Sequence, residues 1–290
     1  DHGYAAQTPA TDGENLYVFF GKSGVFKFDL NGKQIWQADV GEKTHGWGSG
    51  TSPVLFKNLV IVNASVESGS LVAIDKDSGK EVWRAEYVAP WNGGTLTTAG
   101  NLVFQGTADG RFIAYNATSG EKLWESPVGT GVVAAASTYM LDGKQYVSIA
   151  VGWGGVFGIS QRVTELQSPG TVYTFTVDGK APLPTFVKYQ TEGLLEGVKY
   201  DPKDVPEGTG LYVAACANCH GVPGVDKGGN IRNLGYVPKD TIENLQKIVF
   251  KGPFREQGMP DFTGKLTEAD VVKIQAFIQG TADAIRPPKK

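Results

Sequence analysis

Both cysteines of the 290-residue chain fall in one pentapeptide, Cys216-Ala217-Asn218-Cys219-His220. Cys-x-x-Cys-His is the attachment pattern of a c-type haem. Two thiols three residues apart on a helical turn can each bond a porphyrin vinyl group, and the adjacent histidine then reaches the iron from one side. Two other chemistries use such a pair. A thioredoxin-like redox site needs a strand–helix–strand context, which this segment lacks. A zinc site needs further ligands, and His2 and His45 lie far away in a different kind of sequence. The iron needs a sixth ligand, and the chain has only two methionines. Met259 stands in Gln257-Gly258-Met259-Pro260-Asp261-Phe262, where glycine and proline mark a non-helical loop that can point a thioether at a metal. His/Met ligation raises the potential of a haem used for electron transfer, and a six-coordinate iron has no open position for oxygen chemistry. The alternative for Met259 is a gap-filling core residue. Met140 lies in a strand-like run at 137–141 and reads as packing.

Three amphipathic stretches frame this motif. Residues 208–217 place Leu211, Tyr212 and Ala215 on one helical face, and residues 239–250 do the same with Ile242, Leu245, Ile248 and Val249. The third, 266–279, opens on Thr267 with Asp270 in a capping-box arrangement and carries Val271, Ile274, Phe277 and Ile278. Over about residues 204–283 the segment resembles a class I cytochrome c domain: Gly208, Gly210 and Tyr212 ahead of the motif, the Gly-Met-Pro loop, and a closing helix with Phe277. The resemblance implies that the first and last helices cross near Gly210 and Phe277 and that both cover a haem edge.

The first two thirds differ. Glycine is about twice its ordinary share of the chain, and alternating apolar runs replace helix signals. The sequence also repeats. A strand ends at Asp29, Asp75 or Asn116, a turn follows with Gly32, Gly79 or Gly120, and the chain returns with Trp36, Trp83 or Trp124. Residues 177–180 are a degraded fourth copy. A period of 40–50 residues built of short strands is the signature of propeller blades. The Asp or Asn side chain braces the turn, glycine supplies a positive φ, and the tryptophan packs between blades with its N–H on a partner. These tryptophans are structural. Earlier strands are expected at 16–20, 59–62 and 102–105, each after a turn. The fold class is therefore about four β-propeller blades followed by an all-α cytochrome domain. The expected boundaries are 1–183 for the propeller repeats, 184–203 for a linker within a proline-bearing stretch (Pro182, Pro184, Pro202, Pro206), 204–283 for the cytochrome and 284–290 for a tail.

The repeat resembles the tryptophan-docked blades of pyrroloquinoline quinone (PQQ) dehydrogenases. Residues 91–107, Trp91-Asn92-Gly93-Gly94 onward, and 150–158, Ala150-Val151-Gly152-Trp153-Gly154 onward, are very like the last blades of quinohaemoprotein alcohol dehydrogenases. That family also carries a cytochrome c domain after its propeller. Residues 1–86 match only generic PQQ-type blades, a pattern shared with non-catalytic scaffolds. The resemblance implies alcohol oxidation at a PQQ in the propeller axis, a calcium ion that polarises the quinone, an aspartate base, and electrons passed singly to the haem. It implies that Val151, Gly152 and Trp153 lie against the quinone, glycine allowing close backbone approach. An ordinary glycine-rich blade turn remains the alternative. His45-Gly46-Trp47-Gly48 is a second glycine–aromatic cluster, in which the histidine reads as structural. No segment matches the family's calcium ligands or base, and no vicinal cysteines are present.

Two function classes follow: a quinohaemoprotein alcohol dehydrogenase or part of one, and a non-catalytic haem c carrier on a propeller scaffold. The implied partners are a small alcohol and a redox protein or quinone as electron acceptor. A net charge of −3 without a basic stripe disfavours nucleic acid, and no apolar run reaches the roughly 18 residues of a membrane span. Haem attachment of this kind takes place outside the bacterial cytoplasm, so a periplasmic location is expected, with any signal peptide outside this chain. The resembling dehydrogenases have eight blades. Four could close by themselves, be shared between two chains, or be the C-terminal half of a longer protein.

Overall fold

The computed structural model describes residues 6–45, 48–153, 163–167, 170–188, 192–225 and 231–287. The chain divides into two compact units, Asp1–Gly152 with Leu166–Val187, and Trp153–Glu165 with Lys188–Lys290.

The first unit contains four antiparallel sheets, each laid down in chain order. Sheet one is β1 (Ala10–Thr11), β2 (Asn15–Phe19), β3 (Val25–Asp29) and β4 (Gln34–Ala38). Sheet two is β5 (Val54–Phe56), β6 (Leu59–Ala64), β7 (Ser70–Asp75) and β8 (Glu81–Glu86). Sheet three is β9 (Thr95–Thr98), β10 (Leu102–Gly106), β11 (Arg111–Asn116) and β12 (Lys122–Pro127). Sheet four has three strands, β13 (Ser137–Leu141), β14 (Lys144–Val151) and β15 (Thr171–Phe175). Alternation along the strands gives each inner sheet two apolar faces, and the sheets pack face to face through three cores. Tyr17 and Phe19 meet Val60, Val62, Val72 and Ile74. Leu59, Ile61 and Leu71 meet Val103, Ile113 and Tyr115. Phe104 and Phe112 meet Val147, Ile149 and Val151.

The repeat works as its residues predict. Asp29 Oδ1 accepts from the Asn31 and Lys33 N–H groups at 2.9 and 2.8 Å, Asp75 Oδ1 from Asp77 and Ser78 at 3.1 and 2.8 Å, and Asn116 Oδ1 from Thr118 and Ser119 at 2.9 and 3.2 Å. Gly32, Gly79 and Gly120 have φ of 86°, 70° and 73°. Trp36 Nε1 donates to the Lys76 carbonyl and Trp83 Nε1 to the Ala117 carbonyl, both at 2.9 Å, in the turn of the following sheet. Trp124 differs. It is 40 % exposed and packs edge-on against Phe112 and Phe175, at ring centroid distances of 6.1 and 5.2 Å. The fourth turn lacks the positive-φ glycine, and no outer strand follows it in sheet four. Met140 is not a packing residue: it is 64 % exposed on β13, an edge strand with a neighbour on one side only.

The second unit is helical: α1 (Val205–Ala215), α2 (Ala217–His220), α3 (Lys239–Glu243), α4 (Leu245–Val249) and α5 (Glu268–Ile285). α1 starts three residues before the expected position because Pro206 fits the first turn, where its missing N–H costs nothing. The expected helix over 239–250 is broken at Asn244, whose side chain donates to the Asp240 carbonyl at 2.8 Å in competition with the backbone. α5 begins with the expected Thr267–Asp270 capping box and runs six residues beyond Gln279. The helix crossing lies at Gly208, not Gly210. A Cβ on Gly208 would collide with the Lys273 carbonyl and stand 3.2 Å from Phe277 Cβ, whereas Gly210 faces open space. Tyr212 and Phe277 still meet, with ring centroids 5.0 Å apart. The core joins Tyr212, Ile242, Leu245, Val271, Ile274 and Ile278 to Leu195 and Val198, which come from the stretch expected to be linker.

Candidate functional site

The Cys-x-x-Cys-His motif straddles the break between α1 and α2. The Cys216 N–H closes α1 on the Tyr212 carbonyl at 2.8 Å, and its own carbonyl accepts from Cys219 and His220 at 3.1 and 2.9 Å. This wraps the motif into one helical turn. Burial, and behind it the neighbouring Cys219, pushes the Cys216 thiol up to about 11. That is the opposite of the lowered thiol of a redox Cys-x-x-Cys pair.

His220 is half-buried, with Nδ1 2.8 Å from the Arg232 carbonyl. A carbonyl only accepts, so Nδ1 carries the proton and Nε2 is the free ligand atom. Burial lowers the histidine's pKa and keeps the ring neutral, as ligation requires. The loop holding Arg232 is anchored by Asn233, which is fully buried: its Oδ1 accepts from Gly224 and Gly235 at 2.9 and 2.8 Å and its Nδ2 donates to the Val222 carbonyl at 2.7 Å. Tyr212 Oη donates to the Gly221 carbonyl at 2.8 Å. Sequence reasoning singled out Tyr212 but missed Arg232 and Asn233. A backbone carbonyl has no sequence signature, and Asn233 lies in no recognisable motif.

Met259 follows a left-handed Gly258 (φ 94°, ψ 2°), and its N–H donates to the Phe254 carbonyl at 3.1 Å. Asp261 fixes the other side, accepting from Thr263 N and Oγ1 at 2.9 and 2.6 Å and from Lys251 N at 3.2 Å. Those hydrogen bonds, Thr263 first, hold its carboxyl down to about 2. Met259 packs against the same hydrophobic core as Cys216 and Ala217. It also lines an open cleft of about 810 Å³ with Lys251, Pro253, Arg255 and Asp261. Cys216 and Met259 pack against one apolar core, and with Cys219 and the tautomer-fixed His220 they are the donor types a c-type haem needs.

The residues expected to face the quinone lie at the end of sheet four. Val151 ends β14 and its side chain belongs to the core between sheets three and four. Gly152 has φ 145° and donates to the Gly131 carbonyl at 3.0 Å. Trp153 is buried, and residues 154–158 lie outside the described residues. His45 stands edge-on to Trp91 at 4.6 Å, whereas Gly46 and Trp47 also lie outside them. Thr51, Asn63, Ser65, Trp91 and Asn92 line a cavity of about 90 Å³, too small for a tricyclic cofactor. Among the described residues no group of three or more His, Cys, Asp or Glu side chains forms a metal site.

Propeller blades of the PQQ type followed by a haem c domain define a quinohaemoprotein. A family model described as outer membrane protein assembly factor BamB matches residues 21–167, and one described as cytochrome c oxidase, cbb3-type, subunit III matches residues 203–278. The chain is 67 % identical over 219 residues to a quinohemoprotein alcohol dehydrogenase of Comamonas testosteroni, covering 76 % of this chain and 31 % of that protein. It is 63 % identical over 226 residues to a 1-butanol dehydrogenase (cytochrome c) of Thauera butanivorans, covering 78 % and 33 %. The crystal structure of the Comamonas testosteroni enzyme superposes with a TM-score of 0.79 at 43 % identity, over 98 % of this chain and 54 % of that one. The chain thus belongs to the PQQ-type propeller family, carries a cytochrome c domain after its blades, and is similar in both parts to quinohaemoprotein alcohol dehydrogenases. It spans about a third of the curated relatives' length.

Proposed function

We propose that the chain is the electron-transfer portion of a PQQ-dependent alcohol dehydrogenase, with haem c bonded to Cys216 and Cys219 and its iron held by His220 and Met259. The observation that carries this is the His220 Nδ1 contact with the Arg232 carbonyl, which orients the ring and leaves Nε2 for iron. The haem supplies one-electron transfer at a six-coordinate iron. The protein orients the imidazole, keeps it neutral and holds the Met259 loop rigid. PQQ and calcium, if bound in a propeller to which further blades contribute, would supply the two-electron chemistry of alcohol oxidation, and a redox protein or a quinone would be the electron acceptor. The compartment is the periplasm, where such haems are attached; among the described residues no helix is long and apolar enough to cross a membrane.

Intact mass is the first test: a mass equal to the bare polypeptide after expression with haem-attachment machinery would refute covalent haem. Met259→Ala is expected to lower the reduction potential, and an unchanged potential would remove Met259 as ligand. A second reading, a haem c carrier on a propeller scaffold, is favoured by the burial of Val151 in an inter-sheet core. Haem reduction by a primary alcohol after addition of PQQ and calcium would support the dehydrogenase; an intact but unreduced haem would support the carrier.

A further inference from the structure

His220 takes its tautomer and its orientation from one backbone carbonyl, and a buried side chain fixes that carbonyl. Arg232 is itself exposed, so burial of its own side chain does not hold it. Its carbonyl lies in one peptide plane with the nitrogen and Cα of Asn233. Wherever Asn233 is anchored, the acceptor follows. Asn233 is 0 % exposed, and its carboxamide is used three times. Oδ1 accepts from Gly224 N at 2.9 Å and from Gly235 N at 2.8 Å, and Nδ2 donates to the Val222 carbonyl at 2.7 Å. An amide offers a donor and an acceptor on one flat group. A carboxylate lacks the donor, and an aliphatic chain lacks both.

These bonds join two segments that both serve the histidine. Residues 221–224 leave α2 directly after His220, and residues 233–236 directly follow the acceptor. Tyr236 Oη donates to the Gly224 carbonyl at 3.0 Å, and a Cβ on Gly235 would collide with the Gly224 backbone. The Leu195 N–H donates to the Gly235 carbonyl at 2.9 Å. Tyr212 Oη donates to the Gly221 carbonyl at 2.8 Å. Leu195 and Tyr212 are core residues, so each segment is also tied to the helical core. The donor and acceptor sides of the Nδ1 bond are therefore fixed to each other through Asn233.

We infer, on the reading that His220 ligates the iron, that Asn233 is a positioning residue that sets the reduction potential of the haem through the bond from His220 Nδ1 to the Arg232 carbonyl. An imidazole that donates from Nδ1 to a well-placed acceptor is more basic at Nε2. It then favours iron(III), which lowers the potential. Loosening the Asn233 clamp weakens the Nδ1 bond and raises the potential. Loss of Met259 acts in the opposite direction.

The test uses the haem-loaded full chain. Asn233→Ala and the milder Tyr236→Phe are compared with Thr267→Ala, which destabilises the same unit by removing the cap of α5. Asn233→Ala is expected to shift the reduced-to-oxidised ratio at a fixed poise about tenfold, a rise of about 59 mV for one electron. Tyr236→Phe should raise the potential by less. In the reduced protein the His220 Nδ1–H proton resonance should move upfield and exchange faster with solvent in both. Thr267→Ala should lower stability and leave potential and resonance as in wild type. If Asn233→Ala does not retain haem, Tyr236→Phe decides alone. A clamp variant that is less stable but keeps the wild-type potential and Nδ1–H resonance would overturn the inference and make Asn233 a packing residue. So would a Thr267→Ala protein whose potential rises as far. Either result leaves covalent haem standing on the intact mass, whereas a wild-type chain without covalent haem would remove both.

Discussion

At the scale of single residues, the site is held by groups that do not themselves touch iron. Asp261 shows how this can be measured. Its carboxyl is depressed in the folded chain, so its contribution is present above its ordinary value near 3.8 and is lost as pH falls from there toward about 2. In the haem-loaded protein the Met–iron charge-transfer absorption should fade reversibly in that window, and Asp261→Ala should weaken it already at neutral pH. A band that survives in Asp261→Ala would dissociate the carboxylate from the loop's geometry. Glu67 behaves in the opposite sense. It is 2 % exposed, with Oε1 accepting from Ser49 Oγ, and burial pushes its carboxyl up. Its folded form therefore prefers the proton, and stability is lost as pH rises from about 4.5 toward the raised value. Glu67→Gln keeps the acceptor and removes the charge. Relative to wild type it should raise Tm at pH 8 and change it little at pH 4. The cysteines, His220 and Met259 were legible in the sequence because their types are scarce and their spacing is chemical. Asn233 and the Arg232 carbonyl were not, because what they do depends on where a loop folds.

At the scale of elements, the propeller was the more legible half. Asp or Asn, glycine and tryptophan recur at fixed offsets because each performs one mechanical task, and those tasks reappear as the turn bonds of Asp29, Asp75 and Asn116 and the docked rings of Trp36 and Trp83. Trp83→Phe loses the bond to the Ala117 carbonyl and part of the ring's packing on Gly120, which should cost about 2 kcal/mol in urea denaturation. Trp83→Ala should cost about 3–5 kcal/mol because it also opens a cavity between sheets. The helices were less legible. The sequence reading put the crossing at Gly210, and periodicity does not say whether that residue or Gly208 faces a neighbouring backbone. Packing decides it: Gly208 is buried against Lys273 and Phe277, and Gly210 is exposed. Gly208→Ala is accordingly expected to destabilise the helical unit by about 2 kcal/mol, and Gly210→Ala to leave it unchanged or slightly stabilised by helix propensity. Equal effects from the two substitutions would place the crossing elsewhere.

At the scale of the whole molecule, the question is where the cytochrome begins. Proline and the lack of periodicity made residues 184–203 read as linker, but Leu195 is 2 % and Val198 7 % exposed within the helical core. α5 is committed to them. Gln279, fully buried, accepts from the Val198 N–H at 3.0 Å and donates to the Leu195 carbonyl at 3.3 Å. Arg286 also donates to that carbonyl and pairs with Glu196 at 3.2 Å. By contrast Val177 and Val187, further upstream, are 96 % and 55 % exposed. A fragment of residues 188–290 should therefore fold and hold haem, while one of residues 204–290 should be several kcal/mol less stable. Two aliphatic side chains lost from the core account for about 1.5–3 kcal/mol each, and a buried Gln279 stripped of its Val198 and Leu195 partners, with only Asp283 left, adds to this. Chemical denaturation followed at the haem band compares the two, and Gln279→Leu separates the contributions: it should partly rescue 204–290 and destabilise 188–290. If 204–290 matched the longer fragment in stability, Leu195 and Val198 would be passengers on the core, and the boundary read from the sequence would stand.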